Sequence, residues 1–119
     1  MPPTTSYRRG DVVLVPFPFT DLSATKQRPA LVVSPDSLNS ARDDVVLVAI
    51  TSQVPARLEA DEIEIPSAEL NATGLLKPSI MKLSKIVTIH RDLVRKRIGC
   101  LPAPTLERVL AQIRANFQA

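Results

Sequence analysis

Gly10-Asp11-Val12-Val13-Leu14-Val15 sets four apolar residues in a row behind a glycine–aspartate pair. A run this short, rich in β-branched side chains and opened by a turn signal, reads as a strand buried on both faces. Immediately after it, Pro16-Phe17-Pro18-Phe19 interrupts regular pairing, because neither proline has an amide hydrogen to give to a ladder. A polar loop over 20–27 follows. Leu31-Val32-Val33 is the second strand and 45–50 the third, and Ser34-Pro35-Asp36 between them opens a loop with room for one helical turn. Glu62-Ile63-Glu64-Ile65 alternates polar and apolar, the mark of a half-exposed strand, and Pro66 ends it. Ile80-Met81-Lys82-Leu83 and Lys85-Ile86-Val87-Thr88-Ile89 are two further strands, with Arg97-Ile98-Gly99-Cys100 a weaker one.

The period changes at the C-terminus. Leu106, Val109, Leu110, Ile113 and Phe117 recur at intervals of three and four, so they share one face of a helix over about 103–117. Arg108, Gln112 and Asn116 fall on the opposite face. Pro102 and Pro104 sit near the first turn, where a missing amide hydrogen costs little. Six or seven short strands in succession followed by one docking helix predict a mainly β fold, a small antiparallel barrel rather than a parallel sheet. With 119 residues there is room for one domain, expected over 10–119 behind an N-terminal arm at 1–9.

At 45% hydrophobic and 23% charged, the composition is that of a globular chain and not of a disordered one. No apolar run approaches the ~20 residues of a membrane span, and the first nine residues carry no secretory pattern. The expectation is a cytoplasmic protein with no membrane partner. Three glycines, one histidine and one cysteine leave no phosphate loop, no dinucleotide fingerprint, no His-rich metal centre and no intrachain disulfide. If the chain is an enzyme, its chemistry runs on Arg, Lys, Ser, Thr and carboxylates, with no cofactor or metal expected.

The net charge of +3 is unevenly spread. Residues 1–34 balance at +2 and residues 35–76 at −6, where Arg42 and Arg57 face eight carboxylates. Residues 77–119 balance at +7, with nine basic groups against Asp92 and Glu107. A basic segment this dense suits a phosphate backbone or an acidic protein partner, although charge alone fits a solvated face equally well.

Four segments together resemble the MazF/PemK family of bacterial toxin endoribonucleases. They are Gly10-Asp11-Val12-Val13-Leu14-Val15; Gln27-Arg28-Pro29-Ala30-Leu31-Val32-Val33-Ser34; Ile50-Thr51-Ser52; and Gly74-Leu75-Leu76-Lys77-Pro78-Ser79 leading into Ile86-Val87-Thr88-Ile89. The resemblance implies an SH3-like β-barrel with a C-terminal helix, a homodimer, and metal-independent cleavage of single-stranded RNA. It also implies a cognate antitoxin whose flexible tail covers the RNA groove. The alternative on the same fold is a CcdB-like toxin that binds a protein target such as gyrase, and a third reading is a relative that binds nucleic acid without cleaving it.

Metal-free RNA cleavage uses the ribose 2′-OH as nucleophile, so the enzyme must orient that attack and stabilise the charge on the phosphorane oxygens. A guanidinium suits the second task, being always charged and forked onto two oxygens. Arg28 stands where a loop enters a strand, with Pro29 restricting the junction, and Thr51 ends the third strand with a hydroxyl to offer a phosphate. The resemblance makes Arg28 and Thr51 the catalytic pair. It assigns RNA contacts to Lys26, Gln27, Ser52, Lys77, Ser79, Phe17 and Thr20. Some relatives carry an arginine and an aspartate after the glycine that corresponds to Gly74. Lys77 and Ser79 stand there in this chain, so the acid and base remain unassigned. His90 falls outside the matching motifs and is expected to be structural, and Cys100 is expected to be a small core residue.

Overall fold

The computed structural model describes residues 6–16 and 26–118. Pro18, Phe19 and the first five residues of the expected arm lie outside the described residues. Six strands are seen among those described: β1 (Asp11–Val15), β2 (Arg28–Val32), β3 (Asp44–Thr51), β4 (Glu62–Glu64), β5 (Ile80–His90) and β6 (Lys96–Cys100). They form one sheet in the order β4-β5-β3-β2-β1-β6, with every neighbouring pair antiparallel. The mainly β, antiparallel expectation holds. The sheet does not close through hydrogen bonds, and β4 and β6 are its edges.

β1 fills the role its apolar run predicts: Val12 and Val13 are fully buried on opposite sides of the sheet. On one side Val12, Leu31, Val48, Ile50, Met81 and Leu83 pack with Val109 and Leu101. On the other, Val13, Val15, Ala30, Val32, Leu47 and Ala49 pack with Val94, and the half-buried Tyr7 joins them. The first core is covered by the C-terminal helix α3 (Ala103–Asn116), which follows α1 (Asp36–Ala41) and α2 (Leu70–Thr73). Pro102 at the cap and Pro104 in the first turn of α3 match the sequence reading.

The two strands expected over 80–89 are one continuous strand, β5. Its ladder with β3 shifts between Val48 and Ala49: Ala49 pairs with Lys82, whereas Val48 pairs with Ile86. Three residues of β5 therefore stand opposite no residue of β3, and the strand changes face across them. Met81 and Leu83 serve the helix-side core, while Val87 and Ile89 serve the other. In a straight strand all four odd-numbered residues would share one face.

Two expectations are corrected. Phe117 is 71% exposed, because α3 ends at Asn116 and Phe117 is its cap residue, turned off the buried stripe. Cys100 is also exposed, since it lies on β6, an edge strand with only β1 beside it. β6 is fastened to β1 by a side-chain pair: the Arg97 Nε donates to Asp11 Oδ1 at 2.9 Å, and Asp11 Oδ2 accepts the Arg8 amide at 2.9 Å. Asp11 is buried, so both carboxylate oxygens being satisfied is what makes its burial tolerable.

Candidate functional site

One end of the sheet gathers the ends of four strands. β1 and β2 pair Leu14 with Pro29 and Val15 with Arg28. β2 and β3 pair Ala30 with Ala49 and Leu31 with Val48, and continuing that register puts Arg28 directly opposite Thr51. Directly opposed residues project to the same face of an antiparallel pair. Arg28 and Thr51, 23 positions apart in the chain, thus stand at the facing ends of β2 and β3, two residues beyond the last ladder pair, Ala30 with Ala49. Pairing of Thr51 with Ile80 carries the row onto β5.

A groove of about 720 Å³ opens over these strand ends. It is lined by Arg28, Thr51, Ser52 and Gln53, by the apolar Leu14, Pro29 and Ile50, and by Lys77, Ser79, Lys82, Lys85 and Lys96. Gly74, Leu75, Leu76 and Ile98 complete the wall. The lining holds five cationic side chains and, among the described residues, no carboxylate, histidine or cysteine. Cations converging on one cleft raise the local potential, which concentrates polyanions there. The cationic donors suit phosphate oxygens, and the lining offers a divalent metal no carboxylate, imidazole or thiolate to hold it.

Local structure fixes several of these groups. The Thr51 Oγ1 accepts the Gln53 amide at 3.1 Å, which holds the hydroxyl oxygen and leaves its proton for an acceptor in the groove. Lys82 Nζ pairs with Glu62 Oε2 at 3.3 Å, across the β4–β5 rung that faces their residues to each other. The other Glu62 oxygen, Oε1, accepts the Glu59 amide at 2.9 Å. One nearly buried carboxylate therefore ties a groove lysine to the loop that enters the groove at Ser52. Ser79 is buried and its hydroxyl donates to the Lys77 carbonyl at 2.9 Å, bracing the turn that presents Lys77.

Of the residues singled out from sequence, Arg28, Thr51, Ser52, Lys77 and Ser79 are brought together in the groove. Lys26 and Gln27 are exposed just ahead of Arg28 and are not part of its lining. Phe17 and Thr20 lie outside the described residues. Lys82, Lys85 and Lys96 were missed as individual residues. The dense basic balance of residues 77–119 was their signal, but only the register of β5 and β6 against their neighbours says which lysines face the cleft. His90 stays away from the groove, at the far end of β5, where its Nδ1 accepts the Asp92 amide at 3.1 Å.

The sequence pattern of the PemK-like, MazF-like toxins of type II toxin–antitoxin systems matches residues 8–117. The endoribonuclease MazF6 of Mycobacterium tuberculosis is 29% identical over 85 residues, covering 71% of this chain and 72% of its own. The endoribonuclease MazF2 of Mycobacterium bovis matches to the same extent. Among solved structures, an endoribonuclease in complex with its cognate antitoxin from a mycobacterial species superposes with a TM-score of 0.74 at 19% identity, covering 96% of this chain and 99% of that one. A MazE–MazF structure from Deinococcus radiodurans gives 0.71 at 18% identity, covering 95% and 96%. At these identities the structural likeness speaks for the fold. Among the described residues, no helix is long and apolar enough to cross a membrane.

Proposed function

The chain belongs to the PemK-like, MazF-like toxin family of type II toxin–antitoxin systems, and from that premise we propose that the cationic groove is the active site of a metal-independent endoribonuclease. The observation that carries the reading is that Arg28 and Thr51, at the facing ends of β2 and β3, line one cleft with four lysines. A scissile phosphate lying between them meets a guanidinium from one strand and a hydroxyl from the next. The ribose 2′-oxygen attacks phosphorus and the bond to the 5′-oxygen breaks, so the products are a 2′,3′-cyclic phosphate and a 5′-hydroxyl. Arg28 stabilises the extra charge on the phosphorane oxygens as it develops, and Thr51 donates a hydrogen bond to one of them. Lys77, Lys82, Lys85 and Lys96 hold flanking phosphates and give RNA binding a strong salt dependence.

The same electrostatics accommodate an inhibitor. A cognate antitoxin with an acidic, flexible tail would occupy the groove and exclude RNA by direct competition. The family resemblance also carries a homodimer, which sedimentation would register as twice the 13.0 kDa of one chain. A CcdB-like protein-binding toxin has no use for Arg28 and Thr51 side by side in a cation-lined cleft, which is why the nuclease reading is preferred.

The test is a cleavage assay on mixed single-stranded RNA in excess EDTA, comparing wild type with Arg28→Ala and Thr51→Ala. Discrete products with cyclic-phosphate ends, lost in both folded variants, are expected. Undiminished cleavage by Arg28→Ala would move the active site elsewhere, and no cleavage by folded wild type would favour the protein-binding toxin.

A further inference from the structure

Among the described residues Leu76 is 98% exposed, far more than the other exposed leucines there, Leu38, Leu58 and Leu93, which reach at most 53%. It does not hang from a loose end. Gly74 roots the turn in a left-handed conformation at φ 77°, and a Cβ there would fall 2.1 Å from the Ile98 carbonyl oxygen, so the chain is pressed against β6 at that point. Leu75 packs its side chain against the helix-side core and donates its amide to the Thr73 hydroxyl at 3.4 Å. On the far side the Ser79 hydroxyl holds the Lys77 carbonyl, and the Ser79 carbonyl accepts the Ile65 amide at 3.0 Å. Both ends of the six-residue turn from Gly74 to Ser79 are thus fixed, and it presents a leucine to water.

A leucine held rigidly in solvent contributes nothing to the folded state, whereas covering it releases a sizeable part of its transfer free energy. Its surroundings say what chemistry would cover it. Leu76 lines the groove beside Leu75 and Lys77, and the same lining holds Leu14, Pro29 and Ile98, so apolar and cationic side chains share one cleft. Single-stranded RNA has the complementary pattern: charged phosphates along one side and apolar base faces along the other. We propose that Leu76 is a base-contact residue, laid against the face of the nucleobase whose adjoining phosphate is held by Lys77, and that it contributes to sequence selectivity. This rests on the nuclease reading above. A leucine has no hydrogen-bonding group, so it selects by the size and stacking of the base rather than by its edge.

The experiment compares wild type, Leu76→Ala, Leu76→Met and Lys77→Ala on one long single-stranded RNA of known sequence, with cleavage ends sequenced and KM and kcat measured in excess EDTA. Because Leu76 touches little of the folded protein, all its variants keep the wild-type melting temperature. Leu76→Ala is expected to raise KM about tenfold, to change kcat little, and to flatten the base preference at one position beside the cut. Leu76→Met restores most of that preference. Lys77→Ala weakens all sites evenly and lowers the salt dependence, with the base preference kept. Wild-type KM and base preference in Leu76→Ala overturn the inference. So does a change in oligomeric state with cleavage unaltered, which would make Leu76 a protein contact. If folded wild type cleaves no RNA, the nuclease reading fails and this inference with it.

Discussion

Gly99→Ala offers the sharpest test of how the groove is held together. Gly99 lies in β6 beneath the end of α2, and its backbone is not left-handed, so no conformational strain accompanies the substitution. The whole cost is steric. A Cβ at this position would sit 2.3 Å from the Ala72 carbonyl oxygen, 2.5 Å from the Thr73 carbonyl carbon and 2.6 Å from its oxygen. Ordinary contact begins near 3.4 Å, and all three atoms are backbone, so no flexible side chain can swing aside. β6 and α2 must separate by roughly 1 Å along a tightly packed seam, and overpacking of this kind costs about 1–3 kcal/mol. We place Gly99→Ala near the upper end, about 2–3 kcal/mol, because backbone yields least. For a domain of this size that corresponds to a fall in melting temperature of roughly 8–15 °C. Thermal unfolding followed by circular dichroism, with urea midpoints at constant slope as a second reading, measures it. The separation also displaces the turn after Gly74, so KM for RNA should rise in the same variant. A Gly99→Ala protein that melts within 2 °C of wild type would refute the close α2–β6 approach, and with it the rigid presentation of the turn that follows.

Three further outcomes follow from other contacts. Thr105→Val removes the hydroxyl that donates to Glu69 Oε2 at 2.8 Å, and Oε1 of that carboxylate already has no partner among the described residues. The single variant should lose about 1–3 kcal/mol, and Glu69→Met combined with Thr105→Val should lose less, by urea unfolding. Glu62→Ala strands both Lys82 and the Glu59 amide; with Lys82 partly solvated the loss is about 1–2 kcal/mol, and Glu62→Gln, which still accepts the amide, should recover part of it in the same assay. Burial, assisted by the Asp11 and Asp92 carboxylates, raises the pKa of Tyr7 above its ordinary 10.0. The folded state therefore keeps the phenolic proton longer than the unfolded chain, so stability is intact below about pH 10 and declines as pH rises past it. Tyr7→Phe should show a shallower alkaline decline in urea midpoint.

Much of the fold was legible because its signals are local. The apolar run at 12–15, the alternation at 62–65 and the three-four spacing from Leu106 each report burial directly. Phe117 departs from its expectation because periodicity cannot see where a helix stops, and Cys100 because a short strand does not announce that it is an edge. The face change within β5 was hidden for a related reason. Met81, Leu83, Val87 and Ile89 obey one alternation in sequence, and only the offset against β3 divides them between two cores. In the groove, Arg28 and Thr51 could be named from the company they keep in the chain, whereas Lys82, Lys85 and Lys96 depend on pairing between distant strands. Leu76 belongs to the Gly74–Ser79 motif, but nothing in a Leu-Leu pair tells which one is buried.

The offset in β5 bears on motion as well as on packing. Residues 83–85 take no part in the β3 ladder, so the longest strand is two hydrogen-bonded spans joined by a short unladdered stretch. The span at 80–82 is laced to β4 as well, and the span at 86–90 only to β3. Cooperative opening spreads through contiguous hydrogen-bonded units, and this one is divided. Amide exchange along β5 should separate into two families of rates, with the span at 80–82, held from both sides, the slower and the span at 86–90 the faster. Lys85, which reaches the groove from within that stretch, is carried by a piece of backbone that can adjust without breaking a rung on β3.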